Sequence, residues 1–220
     1  MVILSVSDVV EKALNRESTR DQFADVDLVL GCGDLPYYYL EFLADALNVP
    51  VYFVHGNHDA RVELGEKGGK RAPQGAVNLH KQVVFTQGLL IAGLEGALRY
   101  REGTHMYTQR QMHLMALQLL WKILWNRLKL KRRLDILITH SPPSGIHDQK
   151  DLPHQGFKAL RWLIRLAKPR FVFHGHVRPA NRTASVSQIG ESTLINTYGH
   201  RRTKIELDAS YEKERGRDGK

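Results

Sequence analysis

Five short apolar segments of this chain each run directly into a residue that can bind a metal ion. The segments are rich in β-branched and aromatic residues, which is typical of β-strands. They lead into Asp8, Asp34, residues 55–59, His140 and residues 174–176. In α/β sheets, ligands bind at the carboxyl ends of the strands, where residues far apart in sequence converge. The pattern predicts an α/β fold in which one site is assembled from five strand ends.

The remaining apolar segments complete the predicted fold. Further strands are expected over 83–85, 89–92 and 193–195, and helices over 36–47, 108–130 and 156–167. Because no internal repeat and no domain linker is found, residues 1–207 are predicted to form one domain. A Gly- and Lys-rich loop is expected over 65–75, and a charged tail over 208–220.

Length and cysteine usage exclude several classes of protein. A chain of 220 residues can bury a large core without disulfides, and the single cysteine, Cys32, excludes an internal disulfide framework. The first residues lack the basic region of a signal peptide, and no apolar run is long enough to span a membrane. We therefore expect a cytoplasmic protein in a reducing compartment.

The net charge of +9 is concentrated in one part of the chain. Between residues 99 and 133 there is a single acid, Glu102, and this part alone carries a net charge of +8. Its basic residues are Arg99, Arg101, Arg110, Lys122, Arg127, Lys129, Lys131, Arg132 and Arg133. We interpret residues 99–134 as a basic helical cap, which favours polyanionic substrates such as nucleotides or nucleic acid. No nucleic-acid-binding motif is present.

The helix expected over 108–130 is apolar nearly all round between Met112 and Trp125. A helix that packs on one side needs only one apolar stripe. Three explanations stay open: a buried cap helix with a solvated basic end, a self-association surface, and contact with a membrane surface. We expect a homodimer through helix 108–130, and membrane contact is the less favoured alternative.

The residues at the strand ends form a mixed nitrogen and oxygen donor set. Two carboxylates, one amide oxygen and several imidazoles suit Mn, Fe or Zn better than Ca. Along the chain they follow the order Asp8, Gly33-Asp34, Gly56-Asn57-His58-Asp59, His140 and Gly175-His176. This order resembles the calcineurin-like metallophosphoesterase family, and the motifs span residues 8–178. The resemblance implies a four-layer α/β/β/α sandwich of two mixed β-sheets flanked by helices. It also implies a two-metal site that hydrolyses phosphate monoesters or diesters.

The resemblance also implies a role for each matching residue. Asp34 would bridge the two metals, and Asn57, His140 and His176 would complete one metal site with it. His58 would not bind metal but would face the phosphate and protonate the leaving oxygen or stabilise the transition state. Asp8 would belong to the other metal site. Two such cations polarise the phosphoryl group and acidify a water that attacks in line.

Two positions depart from the family pattern. Val10 stands where the first motif has a histidine, and Arg178 stands where the last motif has one. Both missing imidazoles would serve the metal that Asp8 serves. We expect one firmly bound divalent metal, with Mn favoured and Fe, Zn or Ni compatible, and a second that is weak or absent. Arg178 would pair with Asp8 or bind substrate phosphate; otherwise it points to solvent, and His200 or Glu11 fills the gap.

Several further residues are weighed as substrate contacts or as supporting groups. Arg99 could clamp a phosphate at the site rim, and His147 or His154, in the loop after His140, could contact substrate. Asp59 and Ser141 are expected to orient imidazoles. The expected structural, surface or cap histidines are His55, His80, His105, His113 and His174.

These observations predict a metal-dependent phosphoesterase, with phosphodiesters favoured and monoesters as the other possibility. The alternative is a catalytically reduced binding or scaffold protein on the same fold, a use with precedent in the phosphoesterase-like subunit of the retromer coat. Loss of two ligands, Val10 and Arg178, supports the alternative. The presence of His58 and of one complete ligand set argues for the enzyme.

Overall fold

The computed structural model describes residues 1–60, 62–65, 68–70, 72–181 and 183–207. The strands are β1 (Val2–Ser7), β2 (Leu28–Gly31), β3 (Val51–Phe53), β4 (Glu63–Gly65), β5 (Gly68–Lys70), β6 (Ala76–Asn78), β7 (Val83–Thr86), β8 (Leu89–Leu94), β9 (Ala97–Leu98), β10 (Met106–Tyr107), β11 (Ile136–Thr139), β12 (Phe171–His174), β13 (Val186–Ile189), β14 (Ser192–Asn196) and β15 (Gly199–Lys204). The α-helices are α1 (Thr19–Gln22), α2 (Tyr37–Leu47), α3 (Gln109–Leu130) and α4 (Lys158–Ala167). Short 3₁₀ turns occur at Lys12–Leu14, Leu152–His154 and Thr183–Ser185.

Two mixed β-sheets form the centre of the molecule. The first has the strand order β15-β1-β2-β3-β6, in which only β15 is antiparallel to its neighbour. The second has the order β13-β14-β12-β11-β8-β7, with antiparallel pairing at the two edge strands. The central strands of each sheet are therefore parallel, and their carboxyl ends lie at the same edge of the sheet.

Side-chain alternation along the strands produces the layers. In β11, Ile136 and Ile138 point into a core that lies between the two sheets, whereas Leu137 points to the opposite face. In β2, Leu28 and Leu30 enter the core between the sheets, and Val29 packs on the side of α2. Since side chains of a strand alternate between faces, each sheet is buried on both sides.

The helices cover the two outer faces. Helix α2 packs Tyr39, Leu40 and Leu43 on the first sheet, while α3 and α4 pack together on the second. The architecture is thus the predicted four-layer α/β/β/α sandwich. Of the described helices, none is both long and apolar enough to cross a bilayer.

Most elements expected from the sequence are confirmed. The eight expected strands correspond to β1, β2, β3, β7, β8, β11, β12 and β14, and the three expected helices correspond to α2, α3 and α4. Helix α3 begins with a capping box in which Thr108 accepts from the backbone N–H of Gln111. The loop expectation for 65–75 was partly wrong, because β4 and β5 form a small antiparallel hairpin there. The tail 208–220 lies outside the described residues, and the boundary of the cap at 99–134 stays a prediction.

Candidate metal centre

Strained backbone positions mark the strand ends that face the site. Asp8 follows β1, Asp34 follows β2 and His176 follows β12, and their φ angles are 65°, 56° and 71°. Non-glycine residues rarely adopt positive φ, and such positions concentrate at functional sites. The chain therefore accepts local strain to present these three residues at one edge of the sandwich.

His140 lies at the centre of the site and its ring is held in one orientation. Its Nδ1–H donates to the carbonyl oxygen of Cys32 at 2.8 Å, and its ring is fully buried. The other ring nitrogen, Nε2, faces Asn57 Oδ1 at 3.0 Å and Asp34 Oδ2 at 3.4 Å. In metal-binding histidines one ring nitrogen is typically held by such a hydrogen bond, and the other binds the metal once it has lost its proton.

The pKa values of His140 and Asp34 show that this site favours positive charge. Burial alone would lower the pKa of His140, but the carboxylate of Asp34 raises it to about 10. Burial would raise the pKa of Asp34, yet His140 lowers it to about 2. The site thus draws positive charge to the point where an imidazole nitrogen, an amide oxygen and a carboxylate oxygen converge. A divalent cation fits that donor set.

The amide of Asn57 is oriented by a residue that sequence reasoning missed. Asn57 Nδ2 donates to the hydroxyl of Tyr100 at 3.5 Å, which turns Oδ1 toward His140. Tyr100 belongs to no motif and lies just after β9, so no sequence signal pointed to it.

His176 approaches from the second sheet. Its ring centroid is 4.7 Å from that of His140, and its Nε2–H donates to the carbonyl oxygen of Pro153 at 2.7 Å. Burial, reinforced by His140, lowers the pKa of His176 to about 3, so its ring is neutral at pH 7. Asp34, His140 and His176 offer ligand atoms that all lie within 4.8 Å of one another.

Asp8 lies beside this group without being part of it. Its Oδ2 accepts from the backbone N–H of His176 at 2.9 Å. Burial raises the pKa of Asp8, while the nearby His140 opposes that effect.

Asp59 supports the loops rather than an imidazole. Its Oδ2 accepts from the backbone N–H groups of Asp34, at 3.0 Å, and Gly56, at 2.7 Å. The expectation that Asp59 orients an imidazole was therefore wrong, since these bonds join the loop after β2 to the loop after β3. Ser141 Oγ is buried and has no partner among the described residues.

His58 stands at the open side of the site. Its backbone N–H donates to Asp34 Oδ1 at 2.8 Å, and its side chain is exposed. Because Oδ1 of Asp34 is occupied by this bond, Oδ2 is the oxygen presented to His140.

The two positions that depart from the family pattern, Val10 and Arg178, lie in different surroundings. Val10 is partly buried against the core between α2 and the first sheet. Arg178 is exposed and lines an open cavity of about 800 Å³ together with Glu11, Tyr198 and His200. Among the described residues no ion pair joins Arg178 to Asp8. His200 Nδ1 instead lies 3.6 Å from Glu11 Oε1, so these two residues pair with each other.

The remaining candidate substrate contacts are Arg99, His147 and His154, and their surroundings differ. Arg99 donates to the carbonyl oxygen of Met106 and to Gln111 Oε1, both at 3.3 Å, which ties it to the start of α3. His154 lies close to the site, with its ring 5.5 Å from that of His176.

His147 is engaged in a chain of hydrogen bonds behind the site. Its Nδ1–H donates to Nε2 of His174 at 2.9 Å, and its Nε2 accepts from Ser187 Oγ at 2.8 Å. His174 in turn donates to the carbonyl oxygen of Gly175 at 3.1 Å. His174 is therefore the structural histidine that was expected.

A second polar cluster, absent from the sequence expectations, surrounds Glu95. Its Oε1 accepts from the Tyr107 hydroxyl at 2.5 Å and from His105 Nδ1 at 3.0 Å, and its Oε2 lies 3.1 Å from His55 Nδ1. His80 Nδ1 accepts from the backbone N–H of Glu95 at 3.2 Å. His80 and His105 are therefore partly buried members of this cluster, so the surface assignment was wrong for both. Glu95 directly follows β8, so the rule that found the other strand-end residues could have found it.

This cluster braces the loop that carries Asn57 and His58. His55, Glu95 and His105 also offer ligand atoms within 4.8 Å of one another. However, the rings of His55 and His105 stack 4.4 Å apart at 14°, so their nitrogens point side by side at separate carboxylate oxygens. Burial would raise the pKa of Glu95, but hydrogen bonds from His105 and His55 hold it below its usual range.

The Glu95→Gln variant is expected to be less stable at pH 7 by about 2–4 kcal/mol, because a buried charge that accepts several hydrogen bonds is lost. Urea unfolding followed by circular dichroism measures this difference. The depressed folded-state pKa of Glu95 stabilises the fold above the ordinary carboxyl pKa, and that contribution is lost as pH falls. The difference in the free energy of unfolding between the variant and the wild type should therefore become smaller at acid pH. The exposed Glu191→Gln change, which loses only a surface pair with Arg133, is the control; an equal effect of both changes would contradict the bracing role.

Comparison with known proteins identifies the family and the fold of the chain. The family model described as calcineurin-like phosphoesterase matches residues 1–178. One solved structure aligns with 94% of this chain and 98% of its own at a TM-score of 0.64 and 17% identity. The crystal structure of TT1561 of Thermus thermophilus aligns with 90% of this chain and 89% of its own, at a TM-score of 0.59 and 18% identity. At these identities the two structures support the fold alone.

No curated protein matches the chain. The family match nevertheless covers most of the sequence and contains every strand end at the candidate metal centre. The chain belongs to the calcineurin-like phosphoesterase family.

Proposed function

We propose that this protein is a metal-dependent phosphoesterase that hydrolyses phosphodiester bonds, with monoesters as the other possible substrate class. The observation that carries the proposal is the convergence of His140 Nε2, Asn57 Oδ1 and Asp34 Oδ2, with His140 oriented by Cys32. These donors share one buried point and are held there by hydrogen bonds behind them. Without a cation the Nε2 proton of His140 fills this point, and a divalent cation would replace that proton and be held by all three groups.

Asp34, Asn57, His140 and His176 are the residues that would hold the cation. Their mixed nitrogen and oxygen donors favour Mn and are compatible with Fe, Zn or Ni. When bound, such a cation supplies the Lewis acidity that polarises a phosphoryl oxygen and acidifies a water molecule. Cys32, Tyr100 and Pro153 keep three of these side chains oriented.

His58 would supply the proton for the leaving oxygen. Its backbone is anchored on Asp34, while its imidazole is exposed on the open side of the site. Histidine is the side chain that serves most often as a general acid.

A second metal position would rest on Asp8 with little further support. Val10 is apolar and packed against the core, and Arg178 is exposed in the adjoining cavity. We infer that one metal is bound firmly and that a second is weak or absent. The exposed Arg178 in that cavity suits the additional negative charge of a nucleotide, a nucleic acid or another phosphate ester.

The compartment and domain boundary belong to the same proposal. The single cysteine, Cys32, is free and buried, which suits the reducing cytoplasm that we expect. Residues 1–207 would act as one phosphoesterase domain, with the basic cap at 99–134 beside the site.

Hydrolysis of bis(p-nitrophenyl) phosphate with added Mn²⁺ tests this function. We expect metal-dependent turnover that falls on the order of 10²-fold or more in His58→Ala, because the imidazole would also stabilise the charge that develops on the phosphoryl group in the transition state. His113→Ala is the matched control, since that histidine is exposed and its hydrogen bond, within the described part of the chain, goes to the carbonyl oxygen of Gln109 on α3. No turnover above the His58→Ala level with any divalent metal would instead favour the binding or scaffold alternative.

A further inference from the structure

Helix α3 has two apolar sides, and only one of them is covered. Met112, Met115, Leu119 and Ile123 are buried in the core formed with the second sheet and α4. The opposite side exposes six large apolar side chains, here called the apolar stripe: Leu114, Leu117, Trp121, Leu124, Trp125 and Leu128. At 3.6 residues per turn they fall within an arc of roughly 100°.

The degree of exposure is unusual for such residues. Trp121, Trp125 and Leu128 are 70%, 71% and 76% exposed. Single exposed apolar residues are common on protein surfaces, but a contiguous run of this size marks an interaction surface. We therefore expect a binding partner or another surface to cover the apolar stripe.

Basic residues border the apolar stripe on both sides. Helical geometry places Lys122 and Lys129 along one margin and Arg127 along the other, with Arg110 near the start of the helix. The helix contains no acidic residue, and Lys131, Arg132 and Arg133 follow directly after it. Lys122 is steadied by donating to the carbonyl oxygen of Lys81 at 2.8 Å.

This charge pattern distinguishes the possible occupants. A second copy of the chain would bring two acid-free, basic helices together, and like charges in contact repel. An anionic lipid surface complements the basic margins, while the tryptophans and leucines enter the region between headgroups and acyl chains. Lys and Arg at the margins can extend toward lipid phosphates while their aliphatic stems cover apolar surface.

We propose that the apolar stripe of α3 and its basic margins dock this protein on an anionic membrane surface. The helix lies flat on that surface, because its inner side stays packed on the second sheet and α4. The proposal concerns where the protein works and does not depend on the phosphoesterase activity. It differs from the homodimer that the sequence analysis favoured, which stays a prediction.

Co-sedimentation of the full chain with vesicles tests the proposal. We expect binding to phosphatidylcholine vesicles that contain phosphatidylglycerol, and at least about tenfold weaker binding to vesicles of phosphatidylcholine alone. The Trp121→Ala/Trp125→Ala variant should lose at least tenfold in binding to the anionic vesicles, and Arg127→Gln/Lys129→Gln should show a smaller loss and a weaker salt dependence. All these side chains are exposed, so the variants should keep the circular dichroism spectrum of the wild type.

A matched control and an oligomer measurement complete the design. Tyr38→Ala removes an aromatic residue that is 55% exposed on α2, in the opposite outer layer, and should leave vesicle binding unchanged. Failure to bind anionic vesicles, or binding that survives the tryptophan variant, would overturn the proposal. So would a concentration-dependent dimer in light scattering that the tryptophan variant abolishes while vesicles are not bound, since the stripe would then be the self-association surface.

Discussion

The Asp34→Asn variant is expected not to retain the metal that we propose for this site, and to hydrolyse phosphodiesters on the order of 10³-fold more slowly than the wild type. Asp34 is the carboxylate that faces His140, while its other oxygen accepts from the backbone of His58. An amide keeps the shape of the side chain but removes its negative charge. A loss of about 4 kcal/mol in charge stabilisation corresponds to about three orders of magnitude in rate.

Elemental analysis after dialysis, together with turnover under saturating Mn²⁺, measures both effects. The wild type should retain one equivalent of metal, and Asp34→Asn should retain almost none. Asp45→Asn, at an exposed position on α2, is the matched control and should change neither quantity. Full activity of Asp34→Asn would remove Asp34 from the metal site. Two firmly retained equivalents in the wild type would contradict the single-metal inference drawn from Val10 and Arg178.

The Gly175→Ala variant is expected to unfold at least about 3 kcal/mol more easily than the wild type. A methyl group at this position would lie 1.9 Å from Ser7 Oγ and 2.4 Å from Asp8 Oδ2. Ser7 cannot move without losing its hydrogen bonds to Cys32 and Gly33, and Asp8 Oδ2 holds the backbone of His176. The methyl group would therefore force apart the ends of β1 and β12.

Urea unfolding at pH 7 measures this effect, and Gly103→Ala is the control. A methyl group at Gly103 would meet only the end of the flexible Met106 side chain, at 3.1 Å, so its cost should stay below about 1 kcal/mol. Where Gly175→Ala still folds, Asp8 is displaced and metal-dependent turnover should fall with the stability. Equal stability of the two variants would show that β1 and β12 tolerate separation at this point.

Local sequence patterns predicted most of the candidate metal ligands but not the residues that orient them. Asp34, Asn57, His140 and His176 were named from strand ends and from the resemblance, and the structure brings these four together. Tyr100 was missed because it orients an amide from a loop that carries no motif.

The cluster around Glu95 could not be predicted from local sequence patterns for a different reason. His80 and His105 have no recognisable spacing, so sequence reasoning assigned them to the surface or the cap. His80 reaches Glu95 because it bridges Gly93 on β8, and His105 reaches it because the chain over 97–107 folds back beside the end of that strand. Such a cluster exists only after strands distant in sequence have paired.

The sequence by itself determined eight of the fifteen described strands, the three main helices and the order of the donor residues. These depend on local rules: strand side chains alternate between faces, and parallel strands bring their ends to one edge. Only the tertiary structure decided which oxygen atoms face His140 Nε2, because that depends on the hydrogen bonds that His140 and Asn57 donate to Cys32 and Tyr100. It also decided which side of α3 is buried. The sequence showed a helix apolar nearly all round, and packing against the second sheet and α4 covers one side and leaves Trp121 and Trp125 exposed.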